Sequence, residues 1–343
     1  MRVLVTGATS LLGRHTVARL LDAGHDVVVF QRTPCGLDGV VEHLGSVTDA
    51  NVVDTAMAGV DGVIHLAAKV DPVGDWADFE AINVEGAVTV HAAARAAGVS
   101  RFVYVSSPSV AHDGSSISGD GAAPADPERA HGHYSVSKAM AERAVLAASD
   151  NTMPVVAVRP HLVIGPGDTQ LIGRIVDRAR KGRMPLVDSG LALVDTTWVD
   201  NAAASLLAAL DALPGVGGRA FVVSNGEPRT VHELIARITA AAGVDWSPRA
   251  VPARAAIAGG AAAEAVWERS GRGGEPPMTA FGAEQLSTAH WFDQRETRAA
   301  LGWAPEVSLA DGWVRLAASF AESEPPFVYL RLSVTDEGHR TLL

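Results

Sequence analysis

The chain has 343 residues, of which 48% are hydrophobic and 20% charged, and a formal net charge of −11. At about 150 residues per domain that length suggests roughly two domains, and the composition excludes disordered and fibrous classes. The acidic balance argues against nucleic acid or an anionic membrane as partner, and one cysteine, Cys35, excludes an internal disulfide and a multi-cysteine zinc site.

No signal-peptide pattern opens the chain, and the longest apolar candidate, 255–263, is about half the ~20 residues that span a bilayer. A cytoplasmic protein without a transmembrane segment is expected. In chain order, residues 2–6 read as a strand and 11–23 as a helix with its apolar stripe at Leu12, Val17, Leu20 and Leu21. Strands follow at 26–31, 41–44 and 62–66, a helix at 79–97, a strand at 101–106, a helix at 134–148 and a sixth strand at 154–159. Strands alternating with helices predict right-handed βαβ crossovers and a parallel, doubly wound α/β sheet of the dinucleotide-binding kind.

Past residue 160 the rhythm loosens. Helices are predicted at 171–182, 201–213 and 231–242, the last capped by Thr230, with short strands at 193–199 and 219–223. The expected organisation is a Rossmann domain over 1–160, with core strands continuing into the second half. A mixed α/β substrate-binding cap follows over 161–320, then a mobile tail over 321–343.

Three groups of residues carry chemistry. The first is Thr6-Gly7-Ala8-Thr9-Ser10-Leu11-Leu12-Gly13, between the first strand and the first helix. Gly7 permits a tight turn, Gly13 permits close helix packing, and N–H groups at the helix start suit a pyrophosphate. Ser10 replaces the usual middle glycine, and its hydroxyl is a candidate phosphate donor. The second is Tyr134-Ser135-Val136-Ser137-Lys138, with Tyr134 and Lys138 on one helix face. A free phenol titrates near pH ~10, and a neighbouring ammonium is expected to lower that value and make the phenol a proton-transfer group. The third is Ser107, at the C-terminal end of the fifth strand, where ligands of such sheets bind. Its hydroxyl can polarise a carbonyl. Ser106 and Ser109 read as turn or cap residues, with Ser109 also able to face substrate.

Together these groups resemble the extended short-chain dehydrogenase/reductase family, over residues 1–320. The resemblance implies a nicotinamide cofactor and Ser107, Tyr134 and Lys138 as the catalytic set. It further implies cofactor contacts from Gly7, Thr9, Ser10, Leu11, Leu12, Gly13, Ser46, Val47, Leu66, Ala67, Ala68, Pro160 and Val163, with Tyr134 and Lys138 again. Asn83 stands where the family keeps a helix asparagine, and Ser46 stands where it usually has an aspartate against adenine. Within the family the closest resemblance is to the 3β-hydroxysteroid dehydrogenase branch and its bacterial 2-alkyl-3-oxoalkanoate reductases. It is carried by His65-Leu66-Ala67-Ala68-Lys69, Ser224-Asn225-Gly226-Glu227-Pro228, Gly274-Glu275-Pro276-Pro277-Met278-Thr279, Ala283-Glu284-Gln285-Leu286 and His290-Trp291.

The expected activity is therefore reduction of an apolar 2-alkyl-3-keto acid or oxidation of its 3-hydroxy acid. A 3β-hydroxysteroid dehydrogenase, a nucleotide-sugar epimerase or dehydratase, and a redox-inactive dinucleotide-binding protein are the alternatives. The second strand ends in Arg32 with no carboxylate, so NADP(H) is expected, with NAD(H) as the alternative. Lys69, Ser109, His161 and Trp198 are candidate substrate contacts, Lys69 and His161 as cations for a carboxylate. Histidines such as His131 and His133 lack metal-ligand spacing, so no metal is expected. The expected partner is a small lipid-like molecule, and a homodimer is an expected assembly.

Overall fold

β-Branched runs and amphipathic stretches alternate through the first half, and they build one parallel sheet. The computed structural model describes residues 1–71, 73–270 and 276–323. The first half contains β1 (Arg2–Thr6), α1 (Leu11–Asp22), β2 (Asp26–Gln31), β3 (Val40–Leu44), α2 (Ala50–Ala56), β4 (Gly62–His65) and α3 (Trp76–Phe79). A π-helical turn, Glu80–Glu85, leads into α4 (Gly86–Ala96), then β5 (Arg101–Val105), β6 (Ile117–Asp120), α5 (His133–Ala147) and β7 (Val155–Pro160). The second half contains β8 (Val163–Ile164), α6 (Ile172–Arg180), β9 (Leu186–Val187), β10 (Leu193–Val194), β11 (Thr197–Trp198), α7 (Val199–Ala212), β12 (Ala220–Val223) and β13 (Arg229–Thr230). It closes with α8 (Val231–Ala241), β14 (Ala250–Val251), α9 (Ala253–Ser270), α10 (Ala280–Ser287), β15 (His290–Phe292), α11 (Arg295–Leu301) and α12 (Leu309–Ser323).

The main sheet has seven strands in the order β12-β7-β5-β4-β1-β2-β3. The chain winds outward from β1 to β3, then re-enters on the other side of β1 at β4. The crevice above β1 and β4 is thus the topological switch point, where a dinucleotide sits in such sheets. The strands are buried on both faces. Val5, Val29, Ile64, Val103 and Val158 pack with Leu20 and Leu206 on one face. Leu4, Val28, Val63, Phe102 and Ala157 pack with Val90 and Val145 on the other. A third core, around Ile164, Trp198, Ile235, Leu309 and Leu316, belongs to the second half.

The sheet takes its seventh strand, β12, and the packing helix α7 from beyond residue 160. The structure differs from the sequence reading in definite places. Helix α2, not expected, begins at Asp49, whose carboxylate accepts the Asn51 N–H at 3.2 Å. The predicted strand 193–199 is two short strands separated by Asp195 and Thr196, because α7 already starts at Val199. The predicted helix 79–97 is interrupted by the π turn. Of the expected tail only 321–323 are described, as the end of α12; residues 324–343, with Gly274 and Glu275, lie outside the described residues.

α5 is tied to the sheet by a pair the sequence reading did not identify. Glu142 and Arg159 are each 1% exposed and meet through two hydrogen bonds, Nε to Oε2 at 2.9 Å and Nη2 to Oε1 at 2.5 Å. Arg159 also donates to the Ala123 carbonyl at 2.7 Å, so β7, α5 and the 121–126 loop share one anchor. Removing one partner of such a pair leaves a buried charge alone. Glu142→Ala is expected to lower the unfolding free energy by about 3–5 kcal/mol, whereas Glu142→Leu with Arg159→Met restores most of it. Denaturant midpoints of the three proteins check this, and an unchanged midpoint in the single variant contradicts it.

Candidate active site

Ser107 follows β5 directly and caps the short helical turn Pro108–Ala111, its Oγ accepting the Ser109 N–H at 3.2 Å. The capping role expected of Ser106 and Ser109 thus falls to Ser107 itself. The Ser107 and Ser109 hydroxyls lie 3.0 Å apart. Tyr134 and Lys138 stand one turn apart near the start of α5, which opens at Gly132 with φ +82°, a left-handed conformation that suits glycine.

The electrostatics invert one expectation. Desolvation pushes the Tyr134 phenol up to about 12, and a hydrogen bond with Ser107 only partly opposes it. The ammonium does not lower it, because Lys138 is engaged elsewhere. Its Nζ donates to the Val105 carbonyl at 2.6 Å and lies 4.1 Å from the centre of the Tyr104 ring. Burial brings Lys138 down to about 7, with Glu142 pulling the other way. The phenol is therefore a protonated acid at neutral pH, within hydrogen-bond reach of Ser107, which is the state needed to give a proton to a carbonyl oxygen.

Asn83 holds this group from below. It is buried in the π turn, its Oδ1 accepts the Lys69 N–H at 2.7 Å, and its Nδ2 donates to the Lys69 carbonyl at 3.0 Å and to Ser137 Oγ at 2.9 Å. Ser137 in turn donates to the Tyr134 carbonyl at 2.9 Å. Its side chain thus bridges the segment after β4 to the first turn of α5.

The glycine loop suits a dinucleotide. Gly7 has φ +73°, and a Cβ there would stand 3.0 Å from the Ala67 backbone. A Cβ on Gly13 would lie 2.3 Å from the Gly7 carbonyl oxygen. Gly7 thus lets the loop approach the segment after β4, and Gly13 lets α1 pack onto the loop. The N–H groups of Leu11 and Leu12 make no hydrogen bond among the described residues, so they remain open to an anion at the positive end of α1. Ser10 serves differently from the expectation: its Oγ donates to the Gly7 carbonyl at 2.9 Å and accepts the Gly13 N–H at 3.0 Å. The hydroxyl is the helix cap, and its proton is committed within the loop. Thr6, which the sequence reading passed over, accepts the Leu66 and Ala67 N–H groups at 3.1 and 3.0 Å and pairs with His65 Nδ1 at 2.8 Å. One hydroxyl thereby sets the spacing across the crevice.

Arg32 is exposed at the end of β2 and makes no ion pair among the described residues. Beside it, Glu42 accepts the Cys35 N–H and the Gln31 side-chain N–H, both at 2.8 Å, and holds the 31–35 loop. This carboxylate comes from β3 and was not visible as part of the second-strand motif. Ser46 bonds Thr48 Oγ1 at 2.8 Å, and Val47 is buried against Gly86, so the Val47 side chain serves the core. Pro160 ends β7, and Val163 pairs with Thr197.

Two candidate substrate contacts are placed otherwise. Trp198 is 1% exposed, its ring lies against Gly312, and its Nε1 donates to Asp200 at 2.9 Å; it is core. The Lys69 ammonium is held by Asp71 at 2.9 Å and Asp78 at 3.5 Å, so it is not a free cation for a carboxylate. His161 does sit at the end of β7, but burial first, then His290 and His112, drive its pKa well below the usual value. It is a neutral hydrogen-bonding group rather than a cation.

The buried lysine has a stability signature. With Lys138 at about 7 in the folded protein and about 10.5 unfolded, the unfolded chain binds more protons between those values, and stability rises with pH across that window. Lys138→Met is expected to be more stable than the parent at pH 6, with a gap that narrows as pH rises toward 9.5. Urea unfolding of the cofactor-free proteins at several pH values checks this, and a gap independent of pH contradicts it.

Residues 3–224 match the NAD dependent epimerase/dehydratase family. The chain is 41% identical over 329 residues to a 2-alkyl-3-oxoalkanoate reductase of Stenotrophomonas maltophilia, covering 94% of this chain and 100% of that protein. It is 37% identical to a protein of the same name from Shewanella oneidensis, covering 92% and 85%. Among solved structures it is similar to MoeE5 in complex with UDP-glucuronic acid and NAD, at 25% identity and a TM-score of 0.71, covering 94% of this chain and 100% of that one. The chain belongs to the NAD dependent epimerase/dehydratase family, and it is an extended short-chain dehydrogenase/reductase that uses a nicotinamide dinucleotide.

Proposed function

We propose that the protein is an NADP(H)-dependent reductase that interconverts apolar 2-alkyl-3-keto acids and their 3-hydroxy acids in the cytoplasm. The observation that carries this reading is the likeness to a 2-alkyl-3-oxoalkanoate reductase along its whole length. The protonated phenol beside Ser107 agrees with it, since ketone reduction needs an acid at neutral pH.

The bound cofactor supplies the hydride. Ser107 and Tyr134 hydrogen-bond the substrate carbonyl, and Tyr134 gives its proton to the oxygen as the alcohol forms. Lys138 has one donor on the Val105 carbonyl and, when charged, two more for the cofactor ribose. The N–H groups of Leu11 and Leu12 bind the pyrophosphate, and Arg32 pairs with a 2′-phosphate. The alkyl chains run into the cap past Leu162 and toward the alanine-rich α9.

One panel of substrates tests this. Turnover of 2-alkyl-3-keto acids is expected to improve with chain length, since each buried methylene contributes about 0.8 kcal/mol, and NADPH is expected to be preferred. Arg32→Ala should remove that preference, and Tyr134→Phe should lower turnover about 10²–10⁴-fold with cofactor binding kept. Indifference to alkyl length together with rapid conversion of a nucleotide sugar would favour epimerase chemistry instead. A preference for NADH that survives Arg32→Ala would overturn the cofactor assignment.

A further inference from the structure

Two adjacent residues of α10 touch the segments that lead into Tyr134 and out of Ser107. Gln285 Nε2 lies 3.2 Å from His112 Nδ1, at the end of the helical turn that Ser107 caps. The Gln285 carbonyl is 2.8 Å from His290 Nε2, and His290 Nδ1 is 3.1 Å from His161 Nε2, next to the end of β7. A carbonyl only accepts, so His290 carries its proton on Nε2 and His161 must donate to Nδ1. Glu284 places both carboxylate oxygens 3.2 Å from His131 Nδ1, three residues before Tyr134, and one of them 3.6 Å from His112. There is little slack here: a Cβ on Gly114 would stand 3.1 Å from His131 and 3.2 Å from Glu284. His112, His161 and His290 are all buried, and burial lowers each pKa, so the Gln285–His112 and His161–His290 contacts are directional hydrogen bonds to neutral rings. Among the described residues no group of three such side chains has the geometry to hold a metal.

The other end of α10 rides on α9. The Ala280 N–H donates to Glu264 at 3.1 Å, and a Cβ on Gly260 would lie 2.5 Å from the Thr279 backbone. The two helices touch backbone to backbone. The start of α10 is thus packed directly on α9.

We propose that Glu284 and Gln285 are positioning residues that couple the seating of the substrate's alkyl chain against α9 to the placement of Ser107 and Tyr134. This rests on the functional reading above. Binding energy from a remote part of the substrate is then used to align the reacting groups, so chain length raises kcat as well as lowering KM.

The test uses the whole protein, Glu284→Ala/Gln285→Ala, the conservative Glu284→Gln, and a series of 2-alkyl-3-keto acids. For the parent, kcat is expected to rise about tenfold or more from the shortest to the longest chain, whereas the double variant loses that rise. Glu284→Gln, which retains an acceptor for His131, keeps most of it. Amide hydrogen exchange should quicken in 107–114 and 129–135 of the double variant and stay unchanged in β1, β2 and β4, which also shows that the variant is folded. An unchanged exchange pattern in the two segments, or a kcat rise parallel to the parent's, overturns the proposal. If the parent turns over no keto acid, the functional reading fails, and the chain-length coupling fails with it.

Discussion

Two opposite charges that are each almost wholly buried must keep each other, and Arg159 and Glu142 do so at the junction of β7 and α5. The helix that presents Tyr134 and Lys138 is tied to the sheet at that junction. Glu142 lies one turn beyond Lys138 and two beyond Tyr134, so fixing its carboxylate sets the rotation of the helix that presents the lysine and the phenol. Arg159 is the penultimate residue of β7, one before Pro160, where the strand ends. Asn83 fixes the opposite end of the same helix through Ser137. The face of α5 that carries Tyr134 and Lys138 is thus held on both sides by buried hydrogen bonds, where an unmade bond is costly.

Burial sets the chemical state of the site as well as its shape. It raises the phenol of Tyr134 and lowers the ammonium of Lys138, two opposite displacements with one cause, because each charged form is disfavoured in the same environment. The same burial takes His65 down to about 3, with Lys138 adding to the effect. Near neutral pH Tyr134 and His65 are therefore uncharged, while Lys138, at about 7, is close to its own titration point. At the start of α1 the N–H groups of Leu11 and Leu12 make no hydrogen bond among the described residues.

Much of this was legible because it is local. The turn at Gly7, the four-residue spacing of Tyr134 and Lys138, and a serine just past a strand end are patterns confined to a few residues, and the structure brings all of them to one edge of the sheet. What was not legible depends on contacts across the chain. Arg159 and Glu142 are 17 residues apart, and Gln285 and His112 are 173 apart. Trp198 looked available for a ligand until Gly312 of α12 covered its ring. Lys69 is a different case: its partners Asp71 and Asp78 are neighbours in sequence, but Asp78 reaches the ammonium only because the chain turns back around Gly74. Ser10 shows the limit of motif reading, since a hydroxyl beside a phosphate loop can be consumed by the helix cap.

The central claim is direct hydride transfer to a ketone, and isotope transfer tests it most directly. NADPH carrying deuterium at the transferable C4 position would be incubated with the enzyme and a 2-alkyl-3-keto acid, and the product examined by mass spectrometry. The account predicts one deuterium on C3 of the 3-hydroxy acid for each cofactor oxidised. An unreduced keto acid, or a nucleotide sugar turned over with no net change in the cofactor, would contradict it.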